Sequence, residues 1–230
     1  MIRNLKVLLA AALALTALGA IAASAHAADE FHCSVAPCRG TLHQDGTKKE
    51  SHHVFIVENE ATTESLSFTC QELTGEGEMA AKTATEITLT NLNYHEATCT
   101  VNGAEGVKVL MNGCDYKFFS AGGTTDAANV TVTCPSETVI VIRFNNEKCN
   151  ATIKGGFTSS GIGYQTAAGR ELTATVNHVV IPAATIKLDG KTKENCLINP
   201  EQTLIGTYTT GNTLVTGETT AGVMAEAWYE

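Results

Sequence analysis

Histidines and cysteines are concentrated between residues 32 and 53, shortly after the N-terminal leader. Cys33 and Cys38 lie there, and four histidines share the same stretch, namely His32, His43, His52 and His53. Imidazole nitrogens and thiolates bind zinc and other transition metals, and a close pair of thiols can also carry redox chemistry. A redox or metal-binding protein that uses this N-terminal Cys/His cluster is therefore one alternative for the function.

The spacing inside this cluster fits no familiar ligand motif. No C-x-x-C pair occurs in the chain, which removes the usual zinc-knuckle and thioredoxin-type patterns. His52 and His53 are adjacent, so they would point to opposite faces of an extended segment. His95 lies well beyond the cluster, and His178 continues an apolar stripe, which favours a buried or edge-of-core position. We therefore predict no metal site and no cofactor.

Two pairs of glutamates have the spacing that places both carboxylates on one face of a strand, namely Glu58 with Glu60 and Glu76 with Glu78. A glycosidase needs two carboxylates on opposite sides of a sugar bond. A serine hydrolase needs a G-x-S-x-G turn, which the nearest segment, residues 156–161, does not match. We predict no catalytic residue and keep a hydrolase with paired carboxylates as a second alternative.

The chain's eight cysteines all follow the leader, and an even count in an exported chain is typical of a disulfide framework. A hairpin closed near Thr124 would set Cys114 opposite Cys134, within reach of a disulfide. Because eight cysteines allow about 105 pairings, the sequence alone does not settle the rest. The other pairs considered are Cys33 with Cys38 across a short loop, Cys70 with Cys99 on strands taken as successive, and Cys149 with Cys196 by elimination.

Residues 1–27 have the three parts of a secretory signal. Arg3 and Lys6 form the basic start, residues 7–23 are apolar, and Ala25-His26-Ala27 fits the small-x-small cleavage rule. A transmembrane anchor is the alternative, but the run is rich in Ala and Gly and ends in a cleavage motif. We expect a protein that is secreted or extracellular, is not inserted in the membrane after cleavage, and is either free or associated with the cell envelope.

Charge narrows the range of partners. Removing the leader with its two cations changes the formal net charge from −9 to −11. This sign repels phosphate backbones, so nucleic acid is not an expected partner. An extracellular or cell-surface ligand of unknown identity is expected instead.

Apolar residues alternate with polar ones along the chain, as in strands with one buried face. Leu66, Phe68 and Cys70 form one such stripe, and residues 172–176 form another. Residues 203–208 and 213–216 are predicted as separate strands, and Asn112-Gly113 as a hairpin turn. The count of roughly ten to twelve short strands predicts an all-β fold, a disulfide-stapled antiparallel β-sandwich. The predicted segments are a signal peptide at 1–27, a polar cap at 28–50 and the sandwich at 51–230.

Several short phrases occur in a distinctive order: Phe68-Thr69-Cys70, Thr88-Leu89-Thr90 leading to Tyr94 and Cys99, Met111-Asn112-Gly113-Cys114-Asp115-Tyr116, Val132-Thr133-Cys134-Pro135, Cys149, and Gly206-Thr207-Tyr208. Over residues 55–217 the chain resembles a group of secreted, disulfide-bonded, β-rich actinobacterial proteins of unknown function. The resemblance implies a secreted β-sandwich with up to three framework disulfides among Cys70, Cys99, Cys114, Cys134, Cys149 and Cys196. It implies no activity, so the leading expectation is a non-catalytic protein with a binding or structural role at or outside the cell surface.

Overall fold

A computed structural model describes residues 29–43, 52–120, 128–167, 171–182, 186–190, 192–200 and 203–230. The leader lies outside these ranges. The described residues form twenty strands, one helical turn α1 (Lys193–Cys196) and one 3-10 turn (Glu96–Thr98). The strands are β1 (Phe31–Cys33), β2 (Cys38–His43), β3 (His53–Asn59), β4 (Ser65–Cys70), β5 (Leu73–Met79), β6 (Thr83–Ala84), β7 (Glu86–Tyr94), β8 (Cys99–Val101), β9 (Ala104–Glu105), β10 (Lys108–Leu110), β11 (Asp115–Phe119), β12 (Ala128–Thr133), β13 (Val139–Phe144), β14 (Cys149–Lys154), β15 (Phe157–Ala167), β16 (Glu171–Ile181), β17 (Ile186–Asp189), β18 (Leu204–Glu218), β19 (Met224–Ala225) and β20 (Ala227–Tyr229).

The strands follow the alternation in the sequence. In β5, Leu73 and Met79 are buried together with the two glycines between them, while Glu76 and Glu78 are exposed. The apolar side chains on one face of the sheet are removed from water, and the polar side chains on the other face stay hydrated. The all-β, disulfide-bonded prediction is confirmed. Among the described residues, no helix is long and apolar enough to cross a bilayer.

Eight antiparallel strands close into a barrel, in the order β16, β15, β12, β11, β7, β5, β2 and β18, with β18 pairing back onto β16. This corrects the predicted β-sandwich. The register between β16 and β18 shifts between Ala174 and Val176 and again between Val176 and Val179. Such irregularities bend and twist a strand, which helps a sheet to curl until its edges meet.

Strand β18 is long enough to join two parts of the fold. Its second half pairs with β2 in the barrel, and its first half pairs with β3, which extends the sheet through β4, β8 and β9. The two strands predicted at 203–208 and 213–216 are therefore one continuous strand. No turn separates them, because residues 209–212 continue the extended backbone.

A separate four-stranded sheet, in the order β10, β13, β14 and β17, packs against this extension. Phe68 of β4 meets Phe144 of β13 edge to face, with ring centroids 5.1 Å apart. Both rings are buried, so the contact belongs to the main core. The same core cluster continues to the nearer end of the barrel, where Phe157 and Ile181 belong to it.

The opposite end of the barrel is covered by a three-stranded sheet, which we call the cap sheet: β20, β1 and β6. Phe31 of β1 is buried and contacts Tyr164 of the barrel edge to face, at a centroid distance of 4.9 Å. Phe31 pairs with Tyr229 across the sheet, and Glu30 N–H donates to the Glu230 carbonyl at 2.7 Å. The first and last described strands thus lie side by side.

Four disulfides connect all eight cysteines. In three bonds the Cα atoms are 4.0 to 5.0 Å apart, and across the short loop they are 6.3 Å apart. The pairs are those considered from the sequence: Cys33 with Cys38, Cys70 with Cys99, Cys114 with Cys134, and Cys149 with Cys196. Disulfides persist in oxidising surroundings, so the framework indicates such a compartment.

Candidate functional site

The candidate site is a cavity inside the barrel, with a volume of about 130 Å³. Aliphatic and aromatic side chains make up most of its wall. An eight-stranded barrel has an interior just wide enough to be filled by side chains or to hold one small ligand. A space of this volume is far larger than the voids of a close-packed core, so here the side chains do not fill the interior.

The strands of the barrel supply this wall through their period of two. Leu172, Ala174 and Val176 of β16 all line the cavity, as their stripe in the sequence indicates. Past the register shift, Val179 and Ile181 also face inward. The small Ala174 side chain leaves room at mid-strand, where its neighbours are Tyr164 on β15 and Thr213 on β18. The space inside the barrel therefore depends on the position of a small residue among the inward side chains of β16.

The two ends of the cavity have different covers. Phe31 of the cap sheet lines one end. Ile140, Ile142 and Ile153 of the four-stranded sheet line the other. The apolar interior of the barrel thus continues into the cores at both ends.

A row of polar groups interrupts the apolar wall, in addition to the hydroxyls of Thr210 and Thr213. The hydroxyls of Tyr94 and Tyr116 lie 3.1 Å apart, and those of Tyr94 and Tyr208 lie 3.4 Å apart. The Tyr208 hydroxyl in turn forms a short hydrogen bond with Nδ1 of His53. These four side chains come from β7, β11, β18 and β3, and all of them line the cavity. We call them the His53–tyrosine row.

His53 is the end of this row. Its side chain is 4 % exposed, and its Nε2 atom is buried without a hydrogen-bond partner among the described residues. The pKa of His53 is lowered from 6.5 to about 3, mainly because a buried charged imidazole would lose its hydration and to a smaller extent because of nearby His52. His53 is therefore neutral at physiological pH, with one ring nitrogen protonated and the other not.

The three tyrosines are neutral as well. Burial raises the pKa of Tyr94 and of Tyr116 well above the ordinary value, and it also raises the pKa of Tyr208. None of the four groups has a pKa near neutrality, where a general acid or base works best. The row is suited to hydrogen bonding rather than to proton transfer.

The structure separates the members of the predicted Cys/His cluster. Cys33 and Cys38 are disulfide-bonded, and the His32 ring stacks on Trp228 at 5.2 Å in the cap sheet. His53 lies in the barrel cavity, and the side chains of His43 and His178 lie outside the described part of the chain. Within the described ranges, no group of three or more His, Cys, Asp or Glu side chains could hold a metal ion.

The paired glutamates lie on outer faces. Glu76 and Glu78 point away from the barrel interior, and Glu58 and Glu60 are exposed on and after β3. Among the described residues that line the cavity there is no carboxylate. The pairs have the shared orientation that their spacing predicts, but they do not face one another across a cleft.

Sequence reasoning missed the His53–tyrosine row. Tyr208 falls in the strand predicted at 203–208, and His53 enters only as a possible metal ligand. The available signal was the position of hydroxyl-bearing aromatic residues on the inward side of alternating strands, where purely apolar residues are more usual. No protein-family model, curated protein or solved structure matches the chain.

Proposed function

We propose that the protein is exported and acts as a non-catalytic binding protein that holds one small, largely apolar molecule inside its barrel. The carrying observation is the cavity of about 130 Å³ at the centre of the barrel. An apolar cavity of similar size, near 150 Å³, is known to stay dry and to take up benzene or xenon. A molecule of that size would make van der Waals contacts with wall atoms that have no neighbour when the cavity is empty.

The surroundings of the cavity support binding over catalysis. No carboxylate, lysine or arginine occurs among the described lining residues. The one cysteine among them, Cys70, is disulfide-bonded, and the one histidine, His53, is neutral. The leader pattern and the disulfide framework support export to an oxidising compartment.

Binding of benzene to the mature chain tests the proposal. We expect saturable shifts of methyl resonances from Val130, Val176 and Val179, which line the cavity. The variant Ala174→Leu places extra methyl groups in the cavity and should weaken benzene binding by about tenfold or more, which is about 1.4 kcal/mol.

The matched control is Ala97→Leu, which makes the same change at an exposed alanine of the 3-10 turn. It should bind benzene as the unaltered protein does, and all three proteins should melt cooperatively. Benzene that leaves the cavity methyl resonances unmoved, or that binds Ala174→Leu unchanged, would contradict the proposal.

A further inference from the structure

The His53–tyrosine row ends on a buried atom without a hydrogen-bond partner among the described residues. His53 lines the cavity, and its Nε2 makes no hydrogen bond within the described residues. A buried polar atom without a partner is costly, by roughly the amount lost when a hydrogen bond is removed from a buried group. Native structures keep such groups rarely, and a ligand contact is one reason to keep one.

Counting protons along the row assigns the role of Nε2. Each tyrosine hydroxyl has one proton to donate, and neutral His53 has one N–H. If the protons run from Tyr116 to Tyr94 to Tyr208 and on to Nδ1 of His53, every hydroxyl proton has an acceptor. Nε2 then carries the imidazole proton and is the only unsatisfied group of the row.

The opposite direction of donation leaves one more buried group without a hydrogen-bond partner. If Nδ1 of His53 donates to Tyr208, the protons run back towards Tyr116, whose hydroxyl proton then has no acceptor among the described residues. Nε2 would also be left as an unsatisfied acceptor. Two buried groups without partners cost more than one, so the first direction is favoured.

We infer that the molecule held in the barrel is a small neutral carbonyl compound whose oxygen accepts a hydrogen bond from Nε2–H of His53. The inference rests on the proposed function and names the ligand class of the same cavity. A carbonyl oxygen accepts a hydrogen bond without bringing a further donor, whereas an alcohol would bring a proton that needs an acceptor of its own.

A carboxylate is a poor occupant for an electrostatic reason. Neither lysine nor arginine occurs among the described residues that line the cavity. Moving an unpaired anion into such a site costs several kcal/mol, and burial already disfavours protonation of His53. Uncharged ketones, aldehydes and esters avoid this cost.

Two ligands of similar shape distinguish the contribution of the hydrogen bond to binding from that of apolar packing. Cyclohexanone and methylenecyclohexane share a ring and differ in having C=O or C=CH2. Because the two differ in hydration, each ligand is compared with itself in the unaltered protein and in His53→Phe. We expect His53→Phe to weaken cyclohexanone binding by about tenfold, while methylenecyclohexane binding changes by less than about twofold.

The matched control is His95→Phe, because His95 is exposed on the loop after β7. It should leave the binding of both ligands unchanged. Equal effects of His53→Phe on the two ligands would overturn the carbonyl inference and leave the proposed function standing. Failure of both ligands to bind the unaltered protein would overturn the proposed function and this inference together.

A second measurement does not depend on a folded variant. Long-range proton–nitrogen NMR spectra of the unaltered protein report which ring nitrogen of His53 carries the proton. We expect the Nε2–H form, with its proton resonance shifted by cyclohexanone and unmoved by methylenecyclohexane. A predominant Nδ1–H form would overturn the inference.

Discussion

His53 shows how one residue can change meaning between sequence and structure. In the sequence it is one member of a histidine-rich segment, whereas in the fold its neighbours are Tyr94 and Tyr208. Its ring meets Tyr94 edge to face at 5.5 Å and Tyr208 at 5.8 Å. These contacts exclude water from the imidazole, and this exclusion is what makes its charged form unfavourable.

The lowered pKa of His53 predicts a pH dependence of stability. The pKa is 6.5 in the unfolded chain and about 3 in the fold, so between these values only the unfolded chain binds the proton. The contribution to the free energy of unfolding is complete above pH 6.5 and is lost as the pH falls towards 3. We expect a loss of about 1.4 kcal/mol for each pH unit below 6.

Denaturant melts between pH 7 and pH 5 measure this slope, and they avoid the range where most carboxylates become protonated. In His53→Phe the slope due to this residue should disappear, while His95→Phe should keep it. A parallel slope in the unaltered protein and His53→Phe would show that other groups cause the pH dependence.

Gly206 occupies a crowded position between β3 and β16. A Cβ atom there would overlap Cδ1 of Ile186 and lie 3.0 Å from Cε2 of Phe55. We expect Gly206→Ala to lower the free energy of unfolding by about 1 to 3 kcal/mol, because the packed neighbours must move. At Gly163 the nearest atom to such a Cβ is Thr175 O at 3.9 Å.

Gly163→Ala is therefore the matched control for Gly206→Ala. It should leave stability unchanged or raise it by about 0.4 to 1 kcal/mol, since alanine restricts the unfolded chain. Urea melts of the two variants compare the sites directly. A Gly206→Ala protein as stable as Gly163→Ala would mean that the junction of barrel and extension is looser than described.

At the scale of elements, the disulfides differ in the length of chain that they enclose. Cys149 and Cys196 are 47 positions apart, whereas Cys33 and Cys38 are 5 apart. In the chain-entropy description a longer loop gives a larger effect. We expect Cys149→Ala with Cys196→Ala to cost about 4 kcal/mol, and the corresponding change at Cys33 and Cys38 about 2 kcal/mol.

Thermal melts of the two double variants rank the bonds. Cys149 and Cys196 are fully buried between β14 and α1, so their removal also disturbs packing and adds to the difference. A larger loss from the short-loop pair would show that the cap sheet, rather than the long loop, dominates the stability.

Local pairing could be predicted from the sequence. The hairpin argument sets opposite each other residues whose numbers add to a constant, and the register of β11 with β12 has Asp115 opposite Thr133, as that argument requires. Cys70 with Cys99 is correct for a different reason, because three strands separate β4 from β8 along the chain. There the partners are neighbours in the sheet without being successive in sequence.

Turn chemistry was informative about backbone shape but not about connection. Asn112 and Gly113 have the positive φ values, 52° and 77°, that the dipeptide predicts. They do not close a hairpin, because β10 pairs in the four-stranded sheet and β11 pairs in the barrel. A turn fixes the direction of two residues, while long-range packing decides which strands become neighbours.

For the whole molecule, closure of the barrel and the presence of the cavity could not be predicted. Period two shows that a strand has one buried face, but it does not show whether that face meets a second sheet or the inside of a closed one. The His53–tyrosine row joins residues as far apart as His53 and Tyr208. A single sequence does not show which inward residues are in contact, because any of them has many possible partners.

Stability of the whole molecule should depend on oxidation. One disulfide joins the cap sheet to the barrel, one lies within the barrel hairpin, one lies within the extension, and one joins the four-stranded sheet to α1. We expect the mature chain to lose its cooperative melt in strong reductant at 37 °C, since each bond restricts the unfolded chain by about 2 to 4 kcal/mol. Calorimetry with and without reductant measures this, and an unchanged transition would contradict it.

The pairing of β1 with β20 places a condition on the order of events during synthesis. Phe31 and its neighbour Tyr229 lie near opposite ends of the described residues, so Phe31 is made well before Tyr229. Strand β1 can join β6 beforehand, but one of its edges waits for β20. The end of the barrel that carries Phe31 therefore stays incompletely covered until β20 has been made and has paired with β1.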